Sequence, residues 1–134
     1  MEISGLLRVT ALHMLEREIT AAIMRHLKTV PHCFAWKEHG GMYGTAGLPD
    51  IICCHRGRFV AFEVKAPNGR LTKLQEITIQ KIQKAKGLAF KVTSVEEVKE
   101  IIKNLDLLII DEISMVRCDI LDAISKILCI YRQS

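Results

Sequence analysis

The sequence predicts a single compact α/β body. Three observations carry that reading. The chain has 134 residues, 49% of them apolar, which is enough to bury a core without covalent staples. Apolar residues recur every three or four positions in some segments and alternate or cluster in short runs in others. Glycine, proline and asparagine punctuate the boundaries between them. The resulting order is α-β-β-β-α-β-α, a mixed sheet flanked by helices, followed by a C-terminal β-α appendage.

Leu12, Leu15, Ile19, Ala22, Ile23 and Leu27 fall on one helical face between Ala11 and Lys28, and Pro31 closes the segment. "CFAWK" is a short strand; Trp36 and Tyr43 could stack on bases or pack, and the strand setting favours packing for Trp36. The glycine-rich "EHGGMYGTAGLP" is a loop. "DIICC" and "RFVAFEVK", joined by "HRG", predict a β-hairpin, and "APNGR" a turn. In "LTKLQEITIQKIQKAKG", Thr72 and Gln75 have capping-box spacing and Gly87 supplies a stop. "LAFKVT" is a strand, and Ser94 with Glu97 opens another helix. From Leu105, "DLLIIDEISMV" is expected to be a buried strand and turn, and "RCDILDAISKILCIYR" an amphipathic helix. Residues 1–104 therefore form the main domain and 105–134 a strand-helix tail that needs burial, on the domain or in a homodimer.

Charge is unevenly spread. Residues 1–104 hold 16 Lys and Arg against 10 Asp and Glu, while 105–134 hold 3 against 5. The basic surplus favours a polyanionic partner. Five cysteines with no CxxC pair argue for free thiols in a reducing, cytoplasmic setting and against a disulfide scaffold or zinc knuckle. The N-terminal stretch is too broken by charge for a signal peptide, and no apolar run approaches the ~20 residues that span a bilayer.

The chemically distinctive feature lies in "FVAFEVK". Period-two alternation sets Glu63 and Lys65 on one face, about 7 Å apart along the strand. Asp50 heads the neighbouring strand, so two carboxylates and an ammonium group converge at one end of the sheet. Hard oxygen donors of this kind suit magnesium or manganese. Such a cation lowers the pKa of water and offsets charge at phosphorus. Lys65 would orient or deprotonate the water, or pair with a phosphate oxygen.

Gly47-Leu48-Pro49-Asp50, Glu63-Val64-Lys65 and "NGRLTKLQ", led by "HGGMYGTAGLPD", resemble the VRR-NUC branch of the PD-(D/E)XK nucleases over residues 14–104. The resemblance implies a restriction-endonuclease-like sheet and a metal-dependent deoxyribonuclease. It implies metal binding by Asp50, Glu63 and the main-chain carbonyl of Val64, with Gln75 supporting the site. It further implies a glutamate from the first helix. A helical wheel sets Glu16 nearer the apolar face than Glu18, which favours Glu16. The same likeness points to structure-selective cutting of flapped or branched DNA in repair or phage replication, leaving a 5′-phosphate, with a phage or prophage origin.

Lys37, Tyr43, Arg70 and Lys73 lie near the predicted site edge and are candidates for DNA contacts, joined by Arg56 and Arg58. His39 and His55 flank loops and form no ligand set. "LDLLIIDEISMVRCDILDAISKIL" resembles the Walker B strand and following helix of Pif/RecD-type helicases, where Asp111 and Glu112 would hold magnesium. No GxxxxGK[ST] loop accompanies it, so no ATP use is expected. A non-catalytic DNA-binding module associated with a helicase is the alternative reading of the whole chain.

Overall fold

The computed structural model describes residues 2–40 and 42–115. Its elements are α1 (Glu2–Leu27), β1 (Cys33–Lys37), β2 (Ile51–His55), β3 (Arg58–Val64), α2 (Lys73–Lys84), β4 (Leu88–Val92) and α3 (Val95–Met115). The strands form one mixed sheet in the order β1-β2-β3-β4. β1 and β3 run antiparallel to β2, and β4 runs parallel to β3. The chain divides within α3, after Lys99, into two compact units, and the sheet belongs to the first.

The β2–β3 hairpin closes through Arg56 and Gly57, both at positive φ, the two-residue geometry that matches the twist of paired strands. β3 and β4 are parallel and need a crossover, which α2 supplies. Thr72 caps α2 by the expected box: its side chain accepts from the Gln75 N–H, and the Gln75 side chain accepts from the Thr72 N–H. Ser94 accepts from the Glu97 N–H. The Glu97 carboxylate reaches Thr93, one residue further back than a capping box requires.

Strand alternation gives the sheet two faces. On one, Ile52, Ala61 and Ala89 are buried beneath Ile79 and Ile82 of α2. On the other, Ile51, Cys53, Val60, Phe62 and Val92 are closed off, with Phe62 and Phe90 stacked across β3 and β4. Ile23 and Leu27 of α1, which touches β1 and β3, are also fully buried.

Two expectations are corrected. α1 begins well before Ala11, and its buried line is Thr20, Ile23 and Leu27, whereas Leu12 and Leu15 are exposed. Periodicity reveals an apolar face but not whether anything covers it. The strand expected from Leu105 is instead the continuation of α3 through Met115. No glycine or proline interrupts residues 95–115. Val98, Ile102 and Leu105 are buried at spacings of four and three, so the helical period runs on where an apolar cluster suggested a strand. The helix expected beyond Met115 lies outside the described residues. Among the described residues, no helix is long and apolar enough to cross a membrane.

Candidate active site

The glycine-rich loop delivers Asp50 to the start of β2. Gly47 sits at φ +82°, and a Cβ there would lie 2.6 Å from Leu74 Cγ of α2. Only glycine lets the loop press so closely on that helix. Pro49 is buried, and the Glu38 N–H donates to the Asp50 carbonyl (2.8 Å), pinning the loop's two ends together. The Asp50 side chain then spans the hairpin: its Oδ2 accepts from the Val64 N–H at 2.8 Å.

β3 carries Glu63 into the same place. Its carboxylate is 3% exposed, an unusual situation for a glutamate. Gln75 Nε2 donates to Glu63 Oε1 at 2.7 Å, and Lys65 Nζ lies 3.9 Å from the same oxygen. The Gln75 oxygen is already engaged by the Thr72 N–H (2.9 Å). The helix cap therefore holds the amide with its NH2 group directed at the carboxylate, and one side chain performs both tasks.

Burial, and secondarily the charge of Asp50 and a hydrogen bond shared with it, push the Glu63 carboxyl up to about 8; Lys65 opposes this and Glu16 adds to it. Two carboxylates in so dry a place share a proton unless a cation replaces it. Glu16, one helical turn before buried Thr20, completes the acidic group from α1. Its Oε1 accepts from the Ala66 N–H at 3.2 Å, just past the end of β3. Glu18 is exposed. Glu16, Asp50, Glu63, Lys65 and Gln75, expected from α1, β2, β3 and α2, are thus brought together.

Among the described residues no three His, Cys, Asp or Glu side chains stand close enough to enclose a metal by themselves. The donor set still fits a hard divalent cation. Asp50 and Glu63 each keep an oxygen outside the main-chain and amide bonds described, and a cation between them would replace the proton they share. Magnesium retains several waters and is satisfied by one or two protein carboxylates.

The expected DNA contacts are more scattered. Lys37, Tyr43, Arg70 and Lys73 are all exposed, Tyr43 almost completely. Lys37 ends β1, and Arg70 and Lys73 flank the Thr72 cap, so these three border the carboxylate end of the sheet. Arg56 and His55 lie at the other end, and His55 is buried. Trp36, expected to pack, lies on the open strand β1 at 38% exposure, beside Phe34 at 70%. Phe34 was not singled out by the sequence, because an alternating strand does not reveal that it forms the sheet's edge.

Comparison with known proteins identifies the family. The family model described as the VRR-NUC domain matches residues 5–97, more than half of the chain. A solved structure titled "VRR_NUC domain" superposes with a TM-score of 0.58 at 21% sequence identity, covering 66% of this chain and 95% of that one. That likeness concerns the fold. No curated protein matches. With the family motif spanning the sheet and the Asp50, Glu63 and Lys65 cluster seated at its end, the chain belongs to the VRR-NUC family and carries a nuclease-type domain.

Proposed function

We propose that the protein is a magnesium- or manganese-dependent deoxyribonuclease acting on flapped or branched DNA, with Asp50, Glu63 and the Val64 carbonyl as metal ligands. The observation that supports this most strongly is the burial of Glu63 beside Asp50, with Lys65 and Gln75 directed at it. A solvent-facing ion pair would need neither the burial nor the amide.

A cation held by these residues would lower the pKa of a water and offset the charge that builds on phosphorus. Lys65 as the ammonium would orient that water or pair with a phosphate oxygen, and only its neutral amine form would take the proton as the water attacks. The water oxygen would bond to phosphorus, the bond from phosphorus to the 3′ oxygen would break with a proton from solvent water passing to that oxygen, and the products would be a 3′-hydroxyl and a 5′-phosphate. Gln75 fixes the Glu63 carboxylate so that it need not reorganise during the reaction. Glu16 holds the chain just past β3 through Ala66 and supplies a further acceptor, directly or through water. Lys37, Arg70 and Lys73 are placed to receive phosphates of the DNA backbone.

Incubating the protein with linear, flapped and four-way-junction DNA tests this. Manganese should support cleavage, preferentially of the flapped or junction substrate, and chelator should abolish it. Lys65→Ala should lower the rate by about 100-fold or more. Cleavage undiminished by that substitution would overturn the assignment.

A further inference from the structure

The face of the sheet that carries Asp50 and Glu63 does not end at the carboxylates. On β3 it continues through Ala61 to Phe59, about 14 Å away by strand rise. On β2 it continues through Ile52 to Cys54. Phe34 is registered opposite Cys54, and Cys54 opposite Phe59, so these three side chains lie abreast across three strands. Trp36 is the next residue on this face of β1, opposite Ile52.

α2 covers only part of this face. Its Ile79 and Ile82 close over Ile52, Ala61 and Ala89, and they leave Phe34 at 70%, Phe59 at 42% and Cys54 exposed. The Phe34 and Trp36 rings lie 5.6 Å apart, tilted by 40°. The indole is held in place, its Nε1 donating to Glu38 Oε1 at 2.8 Å. Phe59 is backed on one side by the α2–β4 turn, where a Cβ on Gly87 would lie 3.1 Å from its ring. Trp36 is thus anchored and Phe59 backed, and all three rings, with Phe34 against the indole, keep exposed surface.

We infer that Phe34, Trp36 and Phe59 form a stacking platform for the unpaired bases of a single-stranded DNA arm whose junction-proximal phosphodiester lies at the carboxylates. The inference rests on the reading of DNA as substrate. Three features favour unpaired nucleic acid over a protein partner or a second copy. The platform shares a sheet face with the proposed hydrolytic site, and where α2 covers Ile52 and Ala61 the open β1 side, Phe34 and then Trp36, leads on toward Asp50. Exposed Lys84 and Lys86 stand at the same end of the sheet as Phe59, where phosphates of that arm would pass. Aromatic rings on an open sheet accept any base with a free π-face, which a base inside a duplex lacks.

The sequence contains one tryptophan, Trp36, so its fluorescence reports on the platform alone. Titrating the full chain in chelator, where no metal-dependent cutting intervenes, with an oligothymidylate should quench that emission, and a blunt duplex of equal length should leave it nearly unchanged. By anisotropy, Phe34→Ala should weaken oligothymidylate binding about tenfold, with duplex binding changed less than about twofold and Phe34→Tyr retaining affinity. Phe34 is so exposed that the fold should survive its replacement, which an unchanged circular dichroism spectrum would verify.

No quenching at saturating oligonucleotide, or equal losses for single strand and duplex, would overturn the platform. So would a dimer on gel filtration that Phe34→Ala dissociates, because the face would then be a contact between copies. Metal-dependent cleavage without quenching would sink the platform and leave the nuclease reading intact. Quenching without cleavage under any metal would do the reverse.

Discussion

Phe59 and Glu63 share one face of β3, yet each has the environment the other would be expected to occupy. The phenyl ring is open to solvent and the carboxylate is almost wholly buried. Hydrophobic sorting alone would place them the other way round. Burying an ionised carboxylate costs several kcal/mol unless it is paired and hydrogen-bonded, and Glu63 is given an amide, an ammonium group and a neighbouring acid. Exposing a phenylalanine on an edge-facing surface forfeits apolar burial. The buried carboxylate is the more telling of the two departures, and the proposed chemistry and recognition on this face would account for both.

The contrast can be broken most severely at its buried end. Glu63→Gln should cut cleavage by at least about 100-fold, a loss typical of removing a transition-state electrostatic partner. The same variant should unfold at the same temperature as wild type or higher at pH 8, because a neutral amide removes the buried charge. Paired kinetic and thermal measurements would separate those effects.

Stability should also depend on pH through Glu63. A carboxyl raised from 4.5 to about 8 by folding favours the protonated fold. Its stabilising contribution is complete below pH 4.5 and is lost as pH rises through 8. The metal-free protein should therefore lose this contribution between those limits. The stabilisation given by added manganese should grow over the same window, since the cation displaces that proton. Differential scanning fluorimetry across the range would check both trends, and Glu63→Gln should flatten them.

Gln75 allows a finer separation. Gln75→Ala removes both halves of its work and should cost about 1–2 kcal/mol of stability, the usual loss for a cap together with a buried hydrogen bond. Gln75→Glu can still accept from the Thr72 N–H, but it brings a third acid to Glu63 in place of a donor. Its α-helix should persist in circular dichroism while cleavage falls about tenfold, in line with loss of one charge-assisted hydrogen bond. At the open end the effect should be smallest: Phe34→Ser should alter stability by less than about 0.5 kcal/mol in denaturant titration.

Much of the buried end was legible in the residues themselves. Asp50, Glu63 and Lys65 announce themselves as charge in apolar strands, and Thr72 with Gln75 as a cap. Local spacing also located all four strands, because turn residues bound each one. What escaped depends on partners distant in sequence. Leu12 and Leu15 lie on the apolar face of α1, but burial shifts to Thr20, Ile23 and Leu27, a matter of where the sheet stops. Phe34 and Trp36 have the pattern of packed strand residues, and their exposure follows from β1 being the edge of the described sheet while α2 packs over β2, β3 and β4. Leu107 to Ile110 form an apolar run short enough for a strand, and the uninterrupted helical period of α3 decided against it.

The central claim is that the carboxylate end of β3 is a metal-dependent hydrolytic site. Calorimetric titration of manganese into wild-type protein and Glu63→Gln, at pH 8 and without DNA, tests it most directly. Wild type should bind the ion with release of about half a proton, since Glu63 is raised to about 8, seen as a heat that varies with the buffer's ionisation enthalpy, and Glu63→Gln should bind at least about tenfold more weakly with no such variation. Equal affinity in the two proteins, or no binding by wild type, would contradict the assignment of Glu63 as a ligand.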